Sequence, residues 1–351
     1  MVRMKDVAEH AGVSLKTVSR VLNNEPHVQE KLRDKVFESV KTLGYVPSAT
    51  ARSLRSKRTY TFHLISRAIE GNFVNTVQSG ALRASQKFGY NLLVSLMSFE
   101  TLNDPLALEH WCENFIDQKR PDGVILLPPH SENPVLNDKL NAAGIPISRI
   151  GPNEITDLNN VNITIDDRSA AKKATEKLIA LGHKRIGFVR GYEDHGATHR
   201  RFDGYKEALK EAGISVDPSI IKPGLFSFET GMNAGLELLA MENRPTAIFA
   251  ANDDMAAGVV VAAYRSNIKV PDELSVMGFD DSELAQRIWP SLSTIRQPLL
   301  QYGEKAVEYL VARAGSNKDV EVETASWTDI LDHKIILRGS TAGLKTTANV
   351  N

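Results

Sequence analysis

Residues 4–46 carry the pattern of three short helices around one small core, and the run Gly12-Val13-Ser14-Leu15-Lys16-Thr17-Val18-Ser19-Arg20-Val21 constrains the chain most. Before it, Lys5-Asp6-Val7-Ala8-Glu9-His10-Ala11 is built of helix formers, with Val7, Ala8 and Ala11 on one face. Gly12 can take the positive φ that ends such a helix. Ser14 can cap the next one by accepting from its first free N–H groups. Val18, Val21 and Leu22 then recur at helical spacing on an apolar underside, while Leu15, Lys16, Ser19 and Arg20 lie toward the other side. A third helix over 29–43 has Leu32, Val36, Val40 and Leu43 as its stripe and Gly44 as its stop. A short helix with a polar, cationic top is what the major groove of DNA admits. The plain alternative is a small helical lid on another domain.

The segment that follows favours the DNA reading. Pro47 keeps Val46 out of the helical region, and Ser48 can start a helix of about two turns. A helix this short is marginal in water and needs a partner to form. Its one large apolar side chain, Leu54, is flanked by Arg52, Arg55, Lys57 and Arg58. An apolar wedge among cations suits insertion between base steps in the minor groove, with the cations on phosphates; a linker whose Leu54 touches the next domain is the other reading. Through residue 58 there are twelve Lys/Arg against six Asp/Glu, a net of +6, whereas the whole chain is −1, so the remainder carries −7. A basic head on an acidic body is expected of a protein that presents one end to a polyanion.

From Tyr60 onward, short apolar runs alternate with amphipathic segments. Strands are expected over 61–65, 91–97, 123–127, 145–150, 185–189, 246–250 and 275–279. Helices are expected over 74–88, 104–118, 134–143, 167–181, 200–212, 230–241, 253–266 and 299–314. Such alternation predicts parallel sheets covered by helices, and the length predicts two sheets. The fold class expected is therefore an all-α helix-turn-helix head plus an α/β core of two parallel-sheet lobes. Ligands of open α/β sheets sit beyond the carboxyl ends of the strands. Asn252-Asp253, Asp280-Asp281, Arg200 and Arg201 follow expected strands, and Arg149 lies inside one. These can bind a hydroxyl-rich ligand, with Phe73 and Phe226 supplying apolar faces. Asp253 and Asp281 can equally be helix caps, Asn252 a turn closer, and Arg149 half of a salt bridge.

Several chemistries have no signature in the chain. There is no Gly-rich phosphate loop, no dinucleotide fingerprint, no nucleophile elbow and no His/Cys spacing for a metal, so no catalytic residues, metal ligands or cofactors are expected. The single Cys112 forbids an internal disulfide. The absence of an apolar leader and of any run long enough to span a bilayer points to a cytoplasmic protein without a membrane partner.

The chain resembles the lactose-repressor/galactose-repressor (LacI/GalR) family of bacterial transcription factors over nearly its whole length. Among the stretches that carry the resemblance are Thr17-Val18-Ser19-Arg20-Val21-Leu22-Asn23, Leu43-Gly44-Tyr45-Val46-Pro47, Ala51-Arg52-Ser53-Leu54, Leu181-Gly182-His183-Lys184-Arg185-Ile186, Ala250-Ala251-Asn252-Asp253 and Gly278-Phe279-Asp280-Asp281. The resemblance implies a homodimer on a pseudo-palindromic double-stranded operator and a core like that of periplasmic sugar-binding proteins. It implies base reading by Leu15, Lys16, Thr17 and Arg20, with Ser14, Ser19 and Asn23 in the same interface, and a hinge wedge at Leu54 with Ala51 and Arg55 beside it. It also implies effector contacts at Phe73, Arg201, Phe226, Asn252 and Asp280, to which Arg149 is added. The domains expected are a head over 1–46, a hinge over 47–59, a core over 60–340 and a polar tail over 341–351. Lobe crossings fall near 161, 290 and 324, giving one lobe of about 60–161 and 291–324 and another of about 162–290 and 325–340.

Tetramers of the family use an added C-terminal heptad helix, which the tail lacks, so a dimer is expected. There are departures. Arg3 stands where the family has a capping Thr, a loss of roughly 0.5–2 kcal/mol; Gln29 replaces a Ser, Arg149 an apolar residue, and Phe99 an Arg of some sugar-binding members. The function expected is a repressor of carbohydrate-utilisation genes controlled by a small sugar or sugar derivative, not an enzyme. A nucleobase or nucleoside effector is the alternative within the same architecture. A sugar-binding transport protein shares the core but has no use for residues 1–58.

Overall fold

The computed structural model describes residues 2–22, 28–45, 58–69, 71–152, 160–315 and 328–344. Asn23, the hinge residues Ala51, Leu54 and Arg55, and the tail beyond 344 lie outside the described residues. The chain divides into two compact units, one up to Tyr60 and one from Thr61.

The first unit holds α1 (Met4–Ala11), α2 (Leu15–Leu22) and α3 (Glu30–Leu43). Gly12 has φ 65°, and the Val13 N–H returns to the Ala8 carbonyl at 3.1 Å, which turns the chain between the first two helices. Ser14 caps α2: its Oγ accepts the Thr17 N–H at 3.1 Å. At α1, Arg3 has no side-chain acceptor to offer, but half of the capping box survives, since Asp6 Oδ2 accepts the Arg3 N–H at 2.7 Å. Gln29 makes no side-chain cap on α3. Val7, Val18, Val21 and Val36 are fully buried, with Tyr45 closing the core. Full burial of each is worth roughly 1.5–3 kcal/mol, much of what holds so small a unit together.

The second unit contains β1 (Thr61–Ser66), α4 (Asn72–Lys87), β2 (Asn91–Leu96), α5 (Phe99–Asn103), α6 (Pro105–Lys119), β3 (Gly123–Leu126), α7 (Pro134–Ala142), β4 (Ile147–Ile150) and β5 (Val161–Ile165). Then come α8 (Asp167–Ala180), β6 (Ile186–Val189), α9 (Gly196–Glu211), β7 (Ile221–Lys222), α10 (Phe228–Leu239), β8 (Ala247–Ala250), α11 (Asp253–Arg265), β9 (Ser275–Met277) and α12 (Glu283–Arg287). The unit closes with β10 (Thr294–Arg296), α13 (Leu299–Gly315), β11 (Thr328–Leu331) and β12 (Lys334–Ile336). One sheet is wholly parallel with order β11-β5-β4-β3-β1-β2, and the second is parallel with order β7-β6-β8-β9. β3, β4, β6 and β8 are buried at every position; β3, β6 and β8 therefore read as unbroken apolar runs, whereas β4 carries Ser148 and Arg149 between its isoleucines.

The lobe crossings lie later than the sequence suggests. β5 and β11 both belong to the first sheet, paired in register from Thr328 on Asn162 to Leu331 on Ile165. β10 pairs antiparallel with β12 and bridges to the second sheet through Ser293 on Met277. The chain therefore crosses between Ile165 and Asp167, between Arg296 and Leu299, and between Leu331 and Lys334, not near 161, 290 and 324. The polar alternation of Val161-Asn162-Ile163-Thr164-Ile165 and the half-exposed edge position of β11 hid both strands from a search for apolar runs.

Helix pairing in the first lobe depends on two glycines. A methyl group on Gly80 of α4 would overlap the Leu300 carbonyl of α13, and one on Gly303 of α13 would overlap the Val77 carbonyl of α4. The two backbones are in direct contact there, which no other residue permits.

Candidate functional site

In the first unit, α2 turns Val18 and Val21 into the core and leaves Ser14, Leu15 and Lys16 exposed, with Thr17, Ser19 and Arg20 half-buried. Leu15 is 46% exposed and gives this face one apolar side chain. This face combines hydroxyls, an ammonium, a guanidinium and one apolar group. Base edges require those donors, acceptors and methyl contacts.

In the second unit, a cavity of about 490 Å³ lies between the two sheets at the carboxyl ends of their strands. Phe73, Arg201, Phe226, Asn252 and Asp280 all line it, so five of the six expected contacts share one cavity. Arg149 is not among the lining residues. Its side chain is buried, and its Nε donates to the Ser131 carbonyl at 2.7 Å. A guanidinium in a covered strand must find acceptors inside the lobe, and this one does.

Arg201 is fixed from three directions. Its Nε donates to Asp167 Oδ1 at 2.8 Å, its Nη1 to the Ala251 carbonyl at 2.6 Å, and it stacks on Phe279 at 3.6 Å. Asp167 also receives Arg200 at 3.2 Å. Asp280 has φ 119° and accepts from Gln297 Nε2 at 2.6 Å, and Tyr302 in turn donates to Gln297 Oε1 at 3.1 Å. Burial pushes the Asp280 carboxyl well above the usual range, against the opposing pull of Arg201. Asn252 performs two tasks. Its Oδ1 caps α11 by accepting from the Met255 N–H at 3.0 Å, and its Nδ2 donates to the Phe226 carbonyl at 2.9 Å. That bond braces Phe226, whose φ of 54° is a strained conformation for an aromatic residue. Gly191 leaves the room that the Phe226 ring occupies.

The two other acidic candidates are structural, though neither is a helix cap. Asp253 accepts the Thr294 hydroxyl at 2.6 Å and the Ser282 N–H at 2.7 Å. Asp281 is paired with Arg296 and Arg338, and the cap of α12 is Ser282.

Sequence reasoning missed Arg67, Tyr192, His195, Asp167, Gln297 and Tyr302, all of which line the cavity. Arg67 directly follows β1 and so had the same signal as Asn252. Asp167 follows β5, a strand that was not recognised. His195 is held neutral, with its pKa pushed down to about 3 by burial and then by the charges of Arg67 and Arg201; its Nε2 has no hydrogen-bond partner. Between the lobes, the carboxylate of Glu132 receives the Gly196 N–H of α9 at 3.0 Å on each oxygen, and Arg200 donates to the Pro152 carbonyl at 3.3 Å. Aromatic faces, fixed acceptors and guanidinium donors in one enclosed space suit a compact polar ligand with several hydroxyls. Among the described residues no group of three His, Cys, Asp or Glu side chains can hold a metal ion, and no helix is long and apolar enough to cross a membrane.

Known families match segments in both units of the chain. A family model described as bacterial regulatory proteins, lacI family, matches residues 3–48, and one described as a periplasmic binding protein-like domain matches residues 175–341. The ribose operon repressor of Haemophilus influenzae is 35% identical over 98% of this chain and 100% of its own length. Catabolite control protein A of Priestia megaterium is 34% identical over 97% of this chain and 99% of its own. Among solved structures, the lac repressor dimer bound to operator and the anti-inducer ONPF superposes with a TM-score of 0.77 at 25% identity, covering 97% of this chain and 99% of that one.

Proposed function

The chain belongs to the LacI family of bacterial regulatory proteins and is a DNA-binding transcriptional regulator, not an enzyme; on that premise we propose that it represses carbohydrate-utilisation genes under the control of a sugar or sugar derivative held between its lobes. The observation that carries the sugar reading is the convergence of Phe73, Phe226, Arg201, Asn252 and Asp280 on one cavity. Aromatic faces cover the flat side of a pyranose or furanose ring, and fixed acceptors and donors meet its hydroxyls. The relation to a ribose operon repressor along the whole chain supports the same class.

In this reading the protein acts in the cytoplasm as a homodimer, and each head places Ser14, Leu15, Lys16, Thr17, Ser19 and Arg20 on one half of a pseudo-palindromic operator. Asn23 and the hinge residues Ala51, Leu54 and Arg55 complete the interface. The effector binds one lobe arrangement better than the other, and that difference in affinity sets how much of the dimer is competent for DNA.

The test is a titration of the full chain on genomic upstream fragments at moderate salt, repeated with a panel of pentoses and hexoses. The expected outcome is a preference of about a thousand-fold or more for one fragment over random DNA, changed by one member of the panel. No preference for any fragment, with or without sugars, removes the reading. Sedimentation of the same sample checks the dimer.

A further inference from the structure

We propose that Arg67 is the anion-recognising group of the cavity and that the effector is a sugar carrying a carboxylate or a phosphate. The proposal rests on the reading of the cavity as a sugar site and narrows it.

The argument is one of charge and commitment. Three arginines line the cavity, and two are committed. Arg200 and Arg201 share Asp167, and each also donates to backbone carbonyls. Arg67 stands directly after β1, where ligand-binding side chains of parallel sheets project. Its guanidinium carbon lies 5.0 Å from the Phe99 ring centre and 4.4 Å from the Tyr192 ring centre, so one aromatic from each lobe packs against it. Among the described residues no carboxylate forms an ion pair with it. Glu100, which senses its charge, is fully exposed and owes its lowered pKa first to its own backbone N–H and to Ser98.

Stacking on rings fixes the guanidinium without using its N–H groups, which lie in the plane and point outward. A fixed planar fork with free donors matches two oxygens of a carboxylate or phosphate. The negative groups of the cavity stand elsewhere. Asp167 is paired with two arginines, and the Asp280 carboxyl is pushed up by burial first, against the pull of Arg201 and with Asp253 adding to the rise. His195, a titratable lining group that feels Arg67, is held neutral by burial first and then by that charge. The cavity therefore has an acidic, hydroxyl-binding end and a cationic end at which, among the described residues, no carboxylate is ion-paired with Arg67. A neutral sugar would leave that charge unanswered.

The experiment measures binding to the full-length protein by calorimetry, using ribose against ribose 5-phosphate and ribonate, and glucose against glucose 6-phosphate and gluconate. The two anionic arms separate phosphate from carboxylate. Wild-type protein is expected to bind one anionic member about ten-fold or more tightly than its neutral parent. Arg67→Gln should lose that preference, the anionic member then binding no more tightly than its neutral parent, and Arg67→Lys should restore part of it through charge alone. Melting curves confirm that both variants fold. Neutral sugars bound as tightly as, or more tightly than, their anionic partners would overturn the assignment and leave the sugar reading standing. No binding by any member of either series, with operator binding intact, would overturn both.

Discussion

Replacing Glu132 by Gln should make the core more stable at neutral and alkaline pH, although the carboxylate bonds a helix N-terminus. Two effects compete at this contact between the lobes. The first turn of α9 favours a negative charge, and the shared Gly196 N–H favours the ionised form, as do Arg200 and Arg149. Burial and the neighbouring Asp194 oppose it, and burial wins: the carboxyl is pushed up from 4.5 to about 7. An acid whose folded pKa lies above its unfolded value makes the folded state bind protons more readily. Its cost is absent below about pH 4.5, grows as pH rises, and is complete above about pH 7. A difference of about 2.5 units corresponds to about 3 kcal/mol at most. Glutamine keeps one acceptor for the Gly196 N–H and cannot ionise. The assay is thermal melting of wild-type and Glu132→Gln protein from pH 4.5 to pH 8. At about 2–4 °C per kcal/mol, the variant should melt several degrees higher at pH 8, and the gap should close toward pH 4.5. A variant that melts lower at pH 8 would mean that capping and the helix dipole outweigh desolvation, and the reasoning would be wrong.

Gly303→Ala should destabilise the first lobe by roughly 1–3 kcal/mol or more, because the added methyl forces α13 away from the Val77 carbonyl of α4; the melting temperature reports it. Asn252→Asp should keep the α11 cap but set a carboxylate against the Phe226 carbonyl, so that effector affinity falls more than stability does, as calorimetry and melting together would reveal. Arg20→Ala should cost about 1–3 kcal/mol on the operator and relax specificity, whereas Lys57→Ala should weaken all DNA equally and lower the salt slope by about one; parallel titrations on operator and random fragments separate the two.

Much of the fold was legible because its strands and helices obey simple periodicities. Buried parallel strands such as Gly123–Leu126 and Ala247–Ala250 are continuous apolar runs between helices with one apolar stripe, and a single sequence displays both. The elements that escaped lack that signal. β5 alternates polar and apolar residues although it is buried throughout, and one of its polar residues, Thr164, lines the cavity. β7 has two residues, and β10 and β12 three each, too few for any period. The lobe crossings were displaced for the same reason, since each is bounded by one of these elements.

The cavity followed the same logic at the level of single residues. Asn252 and Asp280 were found because each stands just past a recognisable strand, and position predicts cavity lining whatever the side chain also does there; Asn252 is both helix cap and wall. Arg67 satisfies the rule equally well, since it stands directly after β1. Arg149 shows the converse error. A charge inside an otherwise apolar strand reports a demand for internal acceptors, which the Ser131 carbonyl helps to meet, and it says nothing about a ligand. What the sequence could not display is commitment: three arginines reach one cavity, and only coordinates reveal that Asp167 engages two of them while the third keeps its donors open. The charge that remains after internal pairing is therefore a better guide to effector chemistry than the list of residues lining the wall.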